Sequence, residues 1–443
     1  MTSNALSMTE GNIYKKIIKF AFPIFWGNVF QQLYTLMDSL IVGNFLGKES
    51  LAAISSTGSL TFLLVGFVSG IFSGAGVVIA RYFGAKDHKN MEVAIHTTIG
   101  FGLLAGVILT VLGVVFSPMI LEVMGTPASV IDKSVVFLRI YFAGIMTNVL
   151  YNTASGIFQA VGDSKRPLKF LIIASIINVT LDLLFVAVFH MGIGGAAFAT
   201  VIAQGVSAFL AFRFLMCSKD VYKVSIRKIS LQPAMLKQIL QMGIPSGIQN
   251  SVIGLANMVV QTNINAFDAV AVAGCGSYSR IEGFVFIPIT SFSMAMTVFM
   301  GQNLGAGEVK RAKKGTYFGI LMSTVLAEVI GIIFILSAPL LIALFNRDPE
   351  VIRYGVMEAR TIAPFYFLLA FSHCMAGILR GAGKSIVPMF VMLASWCVIR
   401  VIYVTVGTHF IPSIRVIFWA YPITWSISSV CFLIYYLRTL RDR

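Results

Sequence analysis

Long apolar segments run through this chain of 443 residues and limit its possible folds more than any other feature. A helix that crosses a lipid bilayer needs about 20 mainly apolar residues. Twelve segments meet that requirement, which predicts an all-α integral membrane protein with twelve transmembrane helices. They cover residues 17–43, 51–80, 93–116, 135–161, 168–190, 192–216, 239–266, 277–304, 315–336, 354–379, 385–406 and 416–437.

The composition also indicates a membrane protein. Hydrophobic residues make up 57% and charged residues 12% of the chain, whereas soluble proteins average about 45–50% apolar and about 25% charged residues. So few charges cannot cover the surfaces of several soluble domains. The sequence therefore excludes a soluble multidomain enzyme and an intrinsically disordered protein.

Basic residues are unevenly divided between the two sides of the predicted membrane. Of the 33 Lys and Arg residues, 24 lie near the two termini or in the even-numbered connections. The opposite side has five, which are Lys48, Lys133, Arg347, Arg353 and Arg415. Because cytoplasmic loops carry the excess of Lys and Arg, both termini of this multi-pass protein are predicted to lie on the cytoplasmic side of the cell membrane. No basic run with interleaved aromatic residues indicates a nucleic-acid partner.

Two halves of the chain repeat one pattern. Residues 156–167 resemble residues 377–388 at an offset of 221. The same offset, or one residue more, recurs in the pairs Gly84 and Gly305, Pro118 and Pro339, and Pro23 and Pro245. Since six helices is an even number, the halves are predicted to be parallel repeats. The predicted division is an N-terminal lobe (1–217), a cytoplasmic linker (218–236) and a C-terminal lobe (237–443), an arrangement typical of transporters.

Prolines occupy matched positions in the two predicted halves. Pro23 lies near the start of the first helix, and Pro245 lies near the start of the seventh. A proline inside a helix removes one backbone hydrogen bond and favours a bend. Both positions are therefore predicted hinges for alternating access.

Polar side chains form stripes on two helices of the first half. In the first helix, Asn28, Gln31, Thr35 and Asp38 follow at spacings that place them on one face. In the fifth helix, Asn178 and Asp182 are neighbours one turn apart. Carboxylates with amide and hydroxyl oxygens nearby suit a sodium ion or a transported proton. At the repeat offsets Asp38 corresponds to Val260 and Asp182 to Tyr403, so the architecture does not require the carboxylates.

The seventh helix carries a stripe of amides, and the eighth helix adds two charged residues. We predict that these side chains face a central substrate cavity together with Asn28 and Thr35. The amides could instead join helices, a role that contributes about 0.6 kcal/mol each in membranes. The predicted residues are Asn250, Asn257, Gln261, Asn265, Arg280 and Glu282.

Motifs for other chemistries are missing or incomplete. The segment Gly381 to Ser385 resembles the end of a phosphate-binding loop, but Ile378 stands where that loop needs a glycine. The five cysteines are scattered singly, and no histidine belongs to a metal or catalytic pattern. We therefore predict no enzyme activity, nucleotide or organic cofactor, and no metal beyond a sodium ion at the coupling site.

Several segments in this order resemble the multidrug and toxic compound extrusion (MATE) family over essentially the whole chain. They are Pro23 with 38–43, then 156–167, 178–182, 194–200 and 301–307. The resemblance implies a two-lobed exporter of organic cations and amphipathic compounds that exchanges them for protons or sodium. It also implies a cation site in the N-terminal lobe, made by residues matching Gln31, Asp38, Asn178, Asp182 and Thr200, with an amide from Asn152 or Asn148.

One branch of the family has an acidic residue in the seventh helix, where this sequence has amides only. Glu282 in the eighth helix is the alternative carboxylate in the C-terminal lobe. Two other functions remain as alternatives: a flippase for lipid-linked oligosaccharide in the same superfamily, and a membrane enzyme acting on lipid. The expected partners are small amphipathic molecules and membrane lipid, and the expected state is a monomer.

Overall fold

The computed structural model describes residues 7–439, except for the side chains at positions 48, 51, 55, 59 and 439. Both ends are predicted to be cytoplasmic, but residues 1–6 and 440–443 lie outside the described part of the chain. The side chain of Lys48 lies outside it as well. Within the described range the chain is helical almost throughout and contains no strand. We call the side with the 85–87 and 306–308 connections, predicted to be cytoplasmic, the inner side.

Twelve long helical segments make up the described part of the chain. The first two form a continuous helix, Ile13–Gly84, except at Gly47, whose φ of 80° is accessible mainly to glycine. The segments are α1 (13–46), α2 (48–84), α3 (His88–Val123), α4 (Ile131–Ala143 and Ile145–Ala160), α5 (Lys165–Val188), α6 (Gly192–Cys217), α7 (Pro233–Ile264), α8 (Ala269–Gly305), α9 (Val309–Ala343), α10 (Pro349–Gly381), α11 (Ile386–Phe410) and α12 (Ile414–Thr439).

Most of these segments are long and apolar enough to cross a membrane. Among the described residues nine helices qualify by length and composition, and ten do when the two parts of α4 count as one span. The two that remain, α1 and α7, carry the polar stripes, which lower their apolar character. The predicted all-helical membrane fold is confirmed.

One predicted helix is interrupted in the structure. We predicted an uninterrupted span over 135–161, but α4 bends by 47° between its two parts. The bend lies at Gly144, where a Cβ atom would be only 2.2 Å from the side chain of Val201 in α6. A glycine is needed for this close approach, and it also weakens the helix locally.

Helices begin several residues earlier than the apolar pattern indicates because polar residues cap them. Asp87 accepts a hydrogen bond from the backbone N–H of Asn90 at the start of α3. Asp268 does the same for Ala271 at the start of α8, with an oxygen-to-nitrogen distance of 2.7 Å. Such caps satisfy N–H groups that have no partner within the helix. Hydropathy detects the membrane span, whereas the caps determine where the helix begins.

The inner ends of α1 and α7 are exchanged between the two halves. Ile17 and Phe20 of α1 are buried in the large core formed by the C-terminal helices. Met235 and Ile239 of α7 are buried in a core with α2, α3, α4 and α6. Each half therefore packs against one turn or more of the other half's first helix, and the division of the chain at 218–236 stays a prediction.

Pro23 and Pro245 lie shortly beyond these exchanged ends. Both prolines are inside continuous helices in the structure. A relative movement of the halves must therefore be absorbed by α1 and α7 near the two prolines, where each helix passes from one core to the other. The hinge role of Pro23 and Pro245 stays a prediction.

Close backbone contacts join the two halves on the inner side. A Cβ atom on Gly70 of α2 would lie 2.5 Å from the Cα of Gly247 in α7. One on Gly74 would lie 2.4 Å from the Cα of Gly243. Further toward the inner end, the Gln302 amide of α8 donates a 2.8 Å hydrogen bond to the backbone oxygen of Ala160. This glycine seam closes the inner side.

The halves separate toward the outer side. Gly254 of α7 still contacts the ring of Phe62 in α2, yet Phe62 is 61% exposed. One turn further out, a Cβ atom on Gly58 would meet nothing within 4 Å. The contacts between α2 and α7 are therefore looser toward the outer side than at the inner side.

Candidate functional site

Two carboxyl groups meet inside the N-terminal half. Asp38 of α1 and Asp182 of α5 lie next to each other, close enough to share a hydrogen bond when one of them is protonated. Asp182 is completely buried. Within the described part of the chain, no hydrogen bond reaches Oδ1 of Asp38 or either carboxylate oxygen of Asp182. These oxygens are dehydrated acceptors without a donor.

The local structure of α5 places Asp182 at a change of helix type. The α-helical part ends at this residue, and a π-helical turn, Leu183–Val188, follows it. Single π turns inside helices are frequent at functional sites. One turn before Asp182, the side chain of Asn178 donates toward the Thr200 hydroxyl at 3.5 Å. Its own oxygen, Oδ1, is buried and has no donor among the described residues.

A small cavity adjoins this group of oxygens. Its volume is about 10 Å³, and its polar lining includes Tyr34, Asn178, Thr200 and Gln204. A space of about 10–15 Å³ by this measure holds one water molecule. Gln204 Oε1 is another buried acceptor that receives no hydrogen bond from residues 7–439. The cavity is therefore large enough for one small ion or water, and Asn178 connects it to the carboxyl pair one helical turn away, although Asp38 and Asp182 do not line it themselves.

A much larger cavity lies on the inner side of the small one. Its volume is about 260 Å³, and helices α1, α2, α4, α5 and α6 surround it, with Thr290 and Met294 of α8 closing one wall. Its lining contains no Asp, Glu, Lys, Arg or His. The amide side chains that line it are Asn28, Gln31, Asn148, Asn152, Gln159 and Gln204.

Hydrogen bonds hold part of this lining in place. Asn28 Nδ2 donates to Ser291 Oγ of α8 at 3.1 Å and so links the two halves. Asn152 Nδ2 donates to Asn148 Oδ1 at 3.0 Å. Tyr151 donates its hydroxyl to the backbone oxygen of Pro167. The cavity therefore has a fixed polar lining suited to molecules that form several hydrogen bonds.

Gln204 lines both cavities, and the sequence analysis missed it. Gln204 belongs to no polar stripe, because α6 is otherwise rich in small apolar residues. A weak signal was available, since Gln204 follows Thr200 by four residues and therefore shares its helix face. Only the packing of α6 against α1 and α5 shows that both sites meet at this side chain.

The C-terminal half fills the corresponding space with larger groups. At the offset of 221, Asn152 corresponds to His373 and Gln159 to Arg380. The ring of His373 contacts the rings of Phe286 and Trp396, with centroids 5.3 and 5.2 Å away. The repeated architecture thus does not require amides at the lining positions, which points to a function specific to the N-terminal half.

The four seventh-helix amides lie outside the 260 Å³ cavity, and their predicted place in a central cavity between the halves stays a prediction. Asn250 donates to the backbone oxygen of Gly66 at 3.3 Å and belongs to the contact between α2 and α7. Asn257 Oδ1 lies 3.5 Å from Nη1 of Arg400. Gln261 donates to Asn265 at 2.9 Å on an exposed surface. These four amides do not line the 260 Å³ cavity.

Three other predicted residues are also separate from that cavity. Thr35 is exposed, and its hydroxyl donates to the backbone oxygen of Gln31. Arg280 is exposed as well. Glu282 accepts a 2.9 Å hydrogen bond from Tyr278 and belongs to a polar cluster inside the C-terminal half. The structure therefore places Asn28 in one cavity with Gln31, Asn148 and Asn152, and the substrate role of the other predicted residues stays a prediction.

Comparison with known proteins decides the family. The sequence profile of the MatE family matches twice, over residues 23–184 and 245–406. The chain belongs to the MatE family. The two matches begin 222 residues apart and so confirm the internal repeat.

Relatives cover most of this MATE protein. The probable multidrug resistance protein YpnP of Bacillus subtilis is 30% identical over 89% of this chain and 88% of its own length. The probable multidrug resistance protein YoeA of the same organism is 27% identical over 97% of this chain and 94% of its own length.

A solved structure shows the same fold. It is the outward-facing conformation of a multidrug resistance MATE family transporter of the MOP superfamily, with a TM-score of 0.91 and 24% identity. The alignment covers 99% of this chain and 98% of that one. The family resemblance inferred from the sequence is confirmed, and so is antiporter-type multidrug export at the level of the family. The chain is a multi-pass membrane protein.

Proposed function

We propose that this MATE transporter exports small amphipathic molecules in exchange for a proton or a sodium ion that binds at Asp38 and Asp182. The carrying observation is the group of buried oxygens on Asp38, Asn178, Asp182 and Gln204, none of which receives a hydrogen bond within the described residues. Unpaired carboxylates inside a membrane protein are strongly unfavourable. A bound proton or cation removes that penalty.

The ligand set favours these two coupling ions. Carboxylate, amide and hydroxyl oxygens suit hard cations, and a carboxyl pair can also bind a proton. Neither Asp38 nor Asp182 has a Lys or Arg nitrogen within 4.0 Å among the described ion pairs. The positive charge needed at this site must therefore come from the coupling ion.

The substrate is proposed to occupy the 260 Å³ cavity beside the ion site. In an outward-open state an ion from outside would reach Asp38 and Asp182 while the substrate leaves. Ion binding and substrate binding must then affect each other equally, since coupling between two ligands is reciprocal. Bending of α1 near Pro23 would accompany the change to the inward-open state.

The remaining parts of the proposal concern placement in the cell. The excess of basic residues on the inner side supports a location in the cell membrane with both termini in the cytoplasm. We further propose a monomer that contacts only lipid and its substrates.

A flippase for lipid-linked oligosaccharide is disfavoured, because the cavity lining has no Lys or Arg to bind a pyrophosphate. A lipid-acting enzyme is disfavoured because the chain's relatives are transporters.

Transport in proteoliposomes tests the proposal. Vesicles containing the purified protein are loaded with a fluorescent amphipathic amine, and its movement is followed under a proton gradient alone and then a sodium gradient alone. We expect one of the two gradients to accelerate transport by at least about tenfold over vesicles without a gradient. Equal rates under all three conditions would contradict ion-coupled exchange.

A further inference from the structure

Gln204 and Leu171 both line the two cavities, and Gln204 is the polar one of the two. It lines the 10 Å³ cavity together with Asn178 and Thr200, and it lines the 260 Å³ cavity together with Gln31 and Asn152. Its side chain is 9% exposed. Its Oε1 atom is buried and, in the part of the chain that the structure describes, has no hydrogen-bond donor.

We propose that Gln204 Oε1 is a shared acceptor that binds the coupling ion in one state and an N–H or O–H group of the substrate in the other. This inference rests on the proposed exchange function and assigns the residue through which the two ligands compete. Gln204 contributes one oxygen to ion binding beside the Asp38–Asp182 pair, and it is a recognition residue for the substrate.

Competition follows from the chemistry of one buried carbonyl oxygen. An unpaired buried acceptor is unfavourable, and either ligand relieves that penalty. The ligand that binds first pairs with this oxygen, so pairing with the same atom no longer contributes to the binding free energy of the second ligand. The two ligands then weaken each other's binding, as exchange requires.

The proposal also restricts the chemistry of the substrate. An acceptor oxygen selects compounds that carry a hydrogen-bond donor, such as amines, amides and alcohols with a free N–H or O–H. The other amides in the lining, including Asn148 and Gln159, can pair with further donors and acceptors. A quaternary ammonium compound has no N–H or O–H group and so does not form this hydrogen bond with Gln204.

Paired ligands test the assignment. The probes are a fluorescent secondary amide and its N-methylated analogue, which differ by one N–H group. Their affinities for the full-length protein in lipid nanodiscs are measured with and without a saturating concentration of the coupling ion. For the wild type we expect the ion to weaken binding of the secondary amide by at least about tenfold and binding of the methylated analogue by about threefold or less.

Variants separate recognition from a structural effect. Gln204→Leu and Gln204→Met remove the acceptor while keeping a side chain of similar size, and Gln241→Leu changes an exposed amide of α7 as the matched control. In both Gln204 variants we expect the ion to weaken binding of the secondary amide no more than it weakens binding of the methylated analogue. The control should behave like the wild type. A purely structural role would weaken both probes equally and keep their different responses to the ion.

Several results would overturn the inference. One is an unchanged ion effect in Gln204→Met, and another is an equal response of the two probes in the wild type. If the wild type shows no ion effect on either probe and no gradient-driven transport, the exchange function itself is wrong. Gradient-driven transport with equal probe responses would instead contradict only the role of Gln204.

Discussion

Replacing Asp182 by Asn abolishes gradient-driven export while the protein still inserts and folds. The side chain keeps its size, but it can no longer bind a proton, and it loses the negative charge that attracts a cation. The buried carboxylate has no hydrogen-bond donor within residues 7–439, so its removal also removes the free-energy cost of burying an unpaired charge. We expect the transport rate under the active gradient to fall by about 100-fold with thermal stability equal to or above that of the wild type.

Two further variants make this experiment specific. Asp38→Asn changes the other carboxyl of the pair and should reduce transport to a similar extent. Asp132→Asn is the matched control, since Asp132 is exposed in the first turn of a helix. Its transport rate should equal that of the wild type. Wild-type rates in both Asp38→Asn and Asp182→Asn would refute the assignment of the cation site.

Adding one methyl group to the glycine seam forces the inner side open. In Gly70→Ala the new Cβ would lie 2.5 Å from the Cα of Gly247, a distance that backbone atoms cannot tolerate. Helices α2 and α7 must therefore separate where the closed inner side needs them together. Overpacking costs about 1–3 kcal/mol, which shifts an equilibrium between two states by about 5–150-fold. We expect a shift toward the inward-open state and a transport rate at least about tenfold lower.

Distances between spin labels at Lys89 and Lys310 report the opening of the inner side. These residues are exposed and belong to opposite halves. Gly70→Ala and Gly74→Ala should both increase the label distance, whereas Gly276→Ala should not, because a Cβ there meets nothing within 4 Å. Unchanged distances and rates in both seam variants would show that the seam does not close the transporter.

The sequence predicted the membrane helices, and it identified two carboxylates that meet in the structure, for one physical reason. In a chain that is 57% hydrophobic, a carboxylate inside an apolar helix is conspicuous. The spacing of Asn178 and Asp182 identifies a shared face, and the repeat shows that the second half lacks equivalent carboxylates. The structure places Asp38 beside Asp182, as the two stripes suggested.

The spacing of polar residues along the sequence does not predict which helices contact each other. A stripe shows which side chains share a face but not which neighbour that face meets. The stripe on α7 therefore does not show that Asn250 pairs with the backbone of α2. The exchanged ends of α1 and α7 and the role of Gln204 depend on the same lateral packing. Gly144 likewise bends α4 because Val201 of another helix approaches it.

The most direct test of the exchange is whether substrate binding displaces the coupling ion. Purified protein in a weakly buffered solution is mixed with a saturating amount of the transported amide, and released protons are measured with a pH indicator or released sodium with an ion-selective electrode. We expect release of about one ion per molecule of substrate bound, and none from the Asp38→Asn, Asp182→Asn double variant. Substrate binding to the wild type without release of either ion would contradict the exchange mechanism.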